Sequence, residues 1–327
     1  MKDSSGQHLP WYESNRRPPF GGHIGIERFF MRTRMLAAVG AAALTLAALV
    51  TTPAWAAPGP LPDPSPTATY YVSLGDSLAA GYQPDTDTDE PVSYTDRIYD
   101  ALKVSDPNLV HVRLGCSGET TATMINGGRC TYAGASSQLD QATRFIAANR
   151  ARVKFVTLDI GANDLYRCLN GSVTTGSSAL GVPDVGCIGG ALQTVGTNLS
   201  TIDGRLRTAG GAGPRYVGMN YYTPPLRRWL DSAQGKVFAQ GTAAANNLFS
   251  DTIRSANSAN GFATADVLNA FSNNDVLTQV PVDGFGSLPK NVARICQWTW
   301  GCTQYKDIHA NPTGHRVIAD TFLPLLR

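Results

Sequence analysis

The chain has 327 residues, 27 of them basic and 25 acidic, and a formal net charge of +2. Residues 1–56 hold six of the basic and three of the acidic side chains, so the 271 that follow are close to neutral, 21 against 22. A near-neutral chain without basic clusters lacks the electrostatic footprint of a nucleic-acid binder, and its length fits one large domain with a single core.

Residues 1–30 are polar, bear Pro and Gly, show no period, and read as an extension outside the folded domain, with Met31 or Met35 as alternative starts. Residues 31–56 read as a signal peptide. Arg32 and Arg34 precede the apolar run MLAAVGAAALTLAALV (35–50), and Ala54, Trp55 and Ala56 supply a small-x-small cleavage pattern. The run falls short of the ~20 residues that span a bilayer. The expectation is a secreted protein cleaved near Ala56, without a stable membrane anchor. A Pro-rich linker (57–68) leads into one domain over 69–327.

Six cysteines lie in that domain: Cys116, Cys130, Cys168, Cys187, Cys296 and Cys302. An even count in an exported chain suggests three disulfides. Nearest-neighbour pairing, Cys116–Cys130, Cys168–Cys187 and Cys296–Cys302, would close three short loops, among fifteen formal connectivities. A zinc site is the weaker reading, because no CxxC pair occurs and no histidine stands at ligand spacing from a cysteine; no metal or cofactor is expected.

In chain order, TYYVSLGD (69–76), LVHVRLG (109–115), KFVTLDIG (154–161), RYVGMNYY (215–222) and FATADVL (262–268) read as strands. They are β-branched or aromatic-rich and mostly end in Gly, Asn or Asp. Helical spacing runs through 93–103, 136–150 and 243–257, and TAGGAG (208–213) turns a helix into the fourth strand. A last helix starts at Asn311 as cap with Pro312 in its first position. Strands alternating with helices predict an α/β fold, a mostly parallel five-stranded sheet with helices on both faces. Ligands in such folds bind at the carboxyl ends of the strands.

The first strand ends in GDSL, which places Ser77 at a strand-to-helix turn where unpaired N–H groups favour negative charge. A plain N-cap serine is the competing reading. The second strand ends at Gly115, whose N–H is free to donate if it is more than a turn glycine. The third ends in GAND, where Asn163 offers two amide donors on a short stem. Of the three histidines beyond residue 56, His111 sits within a strand and reads as structural. His315 lies a turn inside the last helix and reads as a packing or surface residue. His309, just before that helix, is the candidate base.

GDSL (75–78), Gly115, GAND (161–164) and His309 follow the order of the four motif blocks of the SGNH (GDSL-type) hydrolases, and the chain resembles that family from Tyr70 to its last helix. The resemblance implies a three-layer, flavodoxin-like α/β/α sandwich over 69–327. It also implies an acyl-enzyme mechanism, with Ser77 as nucleophile, His309 as base, and an oxyanion hole from Ser77, Gly115 and Asn163. One position departs from the pattern. The family usually has Asp three residues before the histidine, where this chain has Lys306, while Asp307 lies only two before. Either Asp307 reaches the imidazole along a changed backbone path, or a main-chain carbonyl near Lys306 orients it.

The expected substrate is a small-molecule or lipid ester, and the expected state a monomer with no nucleic-acid partner. A carbohydrate acetylesterase is the alternative, with Trp298 and Trp300 of CQWTWGC (296–302) stacking on sugar; the same loop also reads as a plug over the core. A non-catalytic binding protein on the same fold is a further alternative. The acidic loop DTDTDE (85–90) with Asp96 resembles the start of a calcium loop but lacks its sixth-position glycine, and reads as solvated.

Overall fold

The computed structural model describes residues 65–169 and 185–327. The expected extension, the signal peptide and most of the Pro-rich linker lie outside the described residues. The elements in chain order are β1 (Thr69–Gly75), α1 (Ser77–Ala80), β2 (Tyr82–Gln83), β3 (Thr88–Asp89), α2 (Tyr94–Lys103), β4 (Leu109–Arg113) and α3 (Thr121–Asn126). There follow α4 (Gln138–Ala148), β5 (Val153–Asp159), α5 (Ala162–Tyr166), α6 (Val185–Gly210), β6 (Arg215–Met219), α7 (Ala233–Ala259), β7 (Ala263–Ala265) and α8 (Val267–Ala270). A hairpin of β8 (Gln279–Val282) and β9 (Gly286–Pro289), then α9 (Lys290–Trp298) and α10 (Pro312–Leu326), complete the chain.

Five strands form one parallel sheet in the order β4-β1-β5-β6-β7. The inner strand β1, second in that order, is covered on both faces: Tyr70, Tyr71, Val72, Ser73 and Leu74 are all buried, as a doubly covered parallel strand requires. One helical layer contains α2 and α10, and the other contains α4, α6 and α7. The chain leaves β1 to one side for β4 and then builds β5, β6 and β7 on the other. The topological switch point, where such sheets bind ligands, is therefore at the carboxyl end of β1.

Several expected elements differ in extent. The fifth strand ends at Ala265, because the Asp266 side chain accepts from the Asn269 N–H and caps α8. The helix expected at 243–257 is the inner part of α7, which starts ten residues earlier at a Ser232 cap. The helix expected to end at TAGGAG is α6; its first half is not signalled by the sequence, since Gly186, Gly189, Gly190 and Gly196 sit there and each costs about 1 kcal/mol relative to Ala. Its buried Val195, Leu199, Ile202 and Leu206 are what tertiary packing supplies in compensation.

Disulfides join Cys116–Cys130, Cys168–Cys187 and Cys296–Cys302, which is consistent with an oxidising compartment. Among the described residues no helix is long and apolar enough to cross a membrane.

Candidate active site

Gly75 ends β1 with φ +153, and the Asp76 side chain then accepts from the Leu78 N–H (2.9 Å). Asp76, not Ser77, is thus the N-cap, and Ser77 is the first residue of α1. This corrects the N-cap reading of Ser77: its hydroxyl is not spent on the helix and is free to face the cleft.

His309 Nε2 lies 2.7 Å from Ser77 Oγ, and His309 Nδ1 lies 2.6 Å from Asp307 Oδ1. The same Asp307 oxygen accepts from the His309 backbone N–H (2.8 Å). The changed backbone path is visible one residue earlier: Lys306 adopts φ +47, a left-handed conformation, and turns the chain so that an aspartate two residues from the histidine meets its ring. Burial pushes the Asp307 carboxyl up, but its hydrogen bond to the ring, the attraction of the ring's charged form and the backbone N–H outweigh that and hold it below the usual carboxylate range. Tyr82 covers the imidazole, with ring centroids 4.7 Å apart.

The loop carrying this pair is closed by several clips. Trp300 N–H donates to His309 O (3.0 Å) and Asp307 N–H to Trp300 O (3.3 Å), and Cys296–Cys302 staples its start. Trp300 Nε1 donates to Gln83 Oε1 (3.2 Å), and Trp298 packs edge-on against Phe271. Neither tryptophan is among the residues that line the cleft around Ser77; their contacts brace the histidine loop.

Asn163, in the first turn of α5, lines that cleft with Ser77 and His309, as do Tyr166, Tyr221 and Tyr222. One of its amide hydrogens donates to Glu119 O (2.8 Å), which fixes the amide and leaves the second N–H for a ligand. Gly115 does not fit the role expected of it. Leu114 and Cys116 donate their N–H groups to Ser73 O and Gly75 O of β1, so the intervening N–H of Gly115 points to the opposite side, away from β1 and Ser77. Its missing side chain serves packing instead, because a Cβ there would lie 2.6 Å from the Ala80 nitrogen.

The residue after β4 that sequence reading passed over is Gly118. Glu119 N–H bonds Cys116 O (3.1 Å) and closes a tight turn with Gly118 at φ +78. The Ser117 carbonyl in that turn accepts from Arg129 Nε (2.8 Å). In a trans peptide C=O and N–H oppose each other, so the Gly118 N–H is aimed away from Arg129. The Ser-Gly pair after β4 is the signal that could have found it, since glycine in the third turn position is what φ > 0 demands.

The other histidines are structural. His111 bonds Ser73 Oγ (2.9 Å), pairs with Asp96 and stacks on Tyr71. His315 is fully buried and accepts from the Tyr94 N–H (3.1 Å), which places it in the core and not at the surface. Asp96 belongs to the capping box of α2, pairs with Arg113 and lies against His111, which takes it out of any calcium loop. No group of three or more His, Cys, Asp or Glu placed to hold a metal occurs among the described residues.

A parallel α/β/α sandwich with a serine, a histidine and an aspartate in hydrogen-bonding sequence at its switch point has the architecture and side chains of a serine hydrolase. The chain belongs to the GDSL-like lipase/acylhydrolase family, whose model matches residues 73–317, and it is a carboxylic ester hydrolase. Among solved structures it is similar to an extracellular lipase from Streptomyces rimosus, with 18% identity, coverage of 79% of this chain and 98% of the other, and a TM-score of 0.51. It is also similar to phospholipase A1 from Streptomyces albidoflavus NA297, with 17% identity, 79% and 98% coverage, and a TM-score of 0.46. An acetyl xylan esterase from Geobacillus stearothermophilus matches at 13% identity, 80% and 96% coverage, and a TM-score of 0.42. No curated protein sequence matches the chain. At 18% identity the likeness to the Streptomyces rimosus lipase shows the fold alone.

Proposed function

We propose that the protein is a secreted serine esterase acting on acyl esters through an acyl-enzyme at Ser77. The observation that carries this reading is the unbroken line Asp307–His309–Ser77, with hydrogen-bond distances of 2.6 and 2.7 Å. His309 Nε2 takes the Ser77 proton as Oγ attacks the ester carbonyl, and Asp307 holds the ring in the tautomer that can accept it. The oxyanion is met by the Ser77 N–H at the start of α1, the free Asn163 N–H and the Gly118 N–H in place of Gly115. His309 then returns the proton to the leaving alcohol, and water enters to release the acid by the same route. The 69–327 domain is the catalytic unit, and residues 31–56 are removed on export.

An apolar pocket lined by Leu165, Leu169, Ile188, Pro224 and Pro225 shares Tyr166 and Tyr222 with the cleft. It favours an acyl chain over a sugar, and with the tryptophans engaged elsewhere it puts the lipid or simple ester ahead of the acetylated carbohydrate. The test is hydrolysis of p-nitrophenyl esters from acetate to palmitate by residues 57–327, beside Ser77→Ala. Loss of about 10⁴-fold or more in the variant is expected, with an optimum beyond acetate. Equal rates in the two proteins would overturn the serine mechanism, and activity confined to acetyl esters would overturn the acyl preference.

A further inference from the structure

Two carboxyl groups lie beneath the nucleophile, and neither is needed for the proton relay described above. Asp76 and Asp159 are both essentially inaccessible, at 2% and 0% exposure. They come from the ends of neighbouring strands, since Gly75 and Asp159 are in register across β1 and β5. Asp76 N–H donates to Asp159 O (3.2 Å) and, at longer range, to Asp159 Oδ2 (3.4 Å), so the two carboxyl-bearing residues lie side by side. Tyr94 Oη donates to Asp159 Oδ1 (2.6 Å). Asp76 receives the Leu78 N–H on Oδ1 and Tyr221 Oη on Oδ2 (2.9 Å each). A methyl group on Gly75 would overlap the Asp159 carboxyl, so the backbone has been stripped to glycine to let the pair form.

Two carboxyl groups placed side by side and shut off from water cannot both be charged, so the pair retains a proton. Resting on the esterase reading, the geometry points to Asp159 as a positioning residue: it retains that proton, donates it to Asp76, and so lets Asp76 serve as the single anionic cap that sets α1 and its first residue, Ser77. Asp76 accepts two other donors at 2.9 Å each, so the anion sits there, and Asp159, with one close donor in Tyr94 (2.6 Å) and only a long one in the Asp76 N–H (3.4 Å), carries the hydrogen. Burial first, then the neighbouring Asp76, push Asp159 well above the usual carboxylate range. Asp76 is also pushed up, by burial, with Asp159, the Leu78 N–H, Tyr221 and the His309 charge opposing. The titratable groups facing the pair are Tyr71 on β1, Tyr94 on α2, Glu119 on the turn after β4, Tyr166 on α5, Tyr221 and Tyr222 after β6, and His309. Burial raises every one of those tyrosines, so they stay neutral donors.

The sign of the pH effect follows. A carboxyl whose folded pKa is raised stabilises the native state while it is protonated, and that stability drains away as pH climbs from the unfolded value towards the folded one. When Asp159 finally ionises, two anions repel at the cap of the nucleophile helix and Ser77 loses its place.

Asp159→Asn cannot ionise, yet it keeps an oxygen for Tyr94 and an N–H for Asp76. It should hold its neutral-pH kcat within about threefold of wild type and lose the alkaline fall in kcat, followed from about pH 6 to about pH 10. Asp159→Leu has no donor for Asp76 and should lose about 10–100-fold in kcat at every pH with KM little changed. An alkaline limb in Asp159→Asn identical to wild type, or wild-type kcat in Asp159→Leu, would overturn the assignment. Fluorophosphonate labelling of Ser77 in the wild type tests the esterase reading separately. The infrared difference spectrum between wild type and Asp159→Asn decides the pair even if that labelling fails; the difference is taken because the buried Asp203 carboxyl, pushed up to about 8 by burial, adds its own band to both. Loss of one buried protonated-carboxyl stretch supports the pair, and no carbonyl band lost in the variant overturns it.

Discussion

The turn that holds Ser77 and the loop that holds His309 solve the same problem, fixing one side chain to within a fraction of an ångström, by different means. Ser77 is set by regular structure: a fully buried strand, a glycine at its end, an aspartate cap and a helix. His309 lies in a stretch with no regular structure between α9 and α10, held by a disulfide, a single β-bridge from Thr299 to Ala310 and a left-handed lysine. The nucleophile inherits its precision from the sheet. The base has its position assembled from tertiary clips, so the histidine side should answer to changes that the serine side would not register, and the reverse.

The largest effect should come from the link between base and orienting carboxylate. Asp307→Asn keeps the shape but presents an amide to Nδ1, so the ring is no longer held in the tautomer that accepts from Ser77. kcat/KM for an ester should fall by about 10²–10⁴-fold with thermal stability little changed. A loss under tenfold would mean that Asp307 only shapes the loop through the His309 N–H.

On the serine side the sensitive atom is one that is absent. Gly75→Ala would add a methyl into the Asp159 carboxyl at a φ of +153. A cost of about 2–4 kcal/mol in chemical denaturation is expected, from overpacking together with backbone strain. Unchanged stability would show that the end of β1 is softer than its burial implies.

What could be read in advance divides along the same line. Ser77 and Asn163 follow apolar strands, so the fold itself says where they stand, and the five-stranded sheet is written in runs that end in Gly, Asn or Asp. The Gly115 expectation failed on parity: alternate residues of a parallel strand face opposite neighbours, and no pattern in RLGCSGET says which set faces β1. The first half of helix α6 hid behind its glycines. The meeting of Asp307 with His309 depends on φ at Lys306, and nothing in a lysine announces a left-handed backbone. Buried carboxyls such as Asp159 looked like the end of an ordinary strand, because their partners come from α2 and from the loop after β6.

A medium effect tests the staple. Cys296→Ser with Cys302→Ser opens a six-residue separation, and chain entropy puts the loss at about 2 kcal/mol. If the disulfide holds the histidine, kcat should drop in the folded double variant while fluorophosphonate still reaches Ser77 at a reduced rate. Stability lost with kcat intact would assign the staple to the fold alone.

The smallest change bears most directly on how the base is placed. Lys306 pays for its left-handed conformation, and at a non-glycine residue this costs about 1–2 kcal/mol. Lys306→Gly removes that strain but loosens the unfolded chain, and the two effects oppose each other. The net change in stability should lie within about 1 kcal/mol of zero, and kcat should stay near wild type because the path to Asp307 is preserved. Lys306→Val, whose branched side chain resists the same φ, should instead lose activity without touching any catalytic atom. If valine were tolerated as well as glycine, the left-handed turn would not be what brings Asp307 to the ring, and the histidine loop would have to be held by its bridge and its disulfide alone.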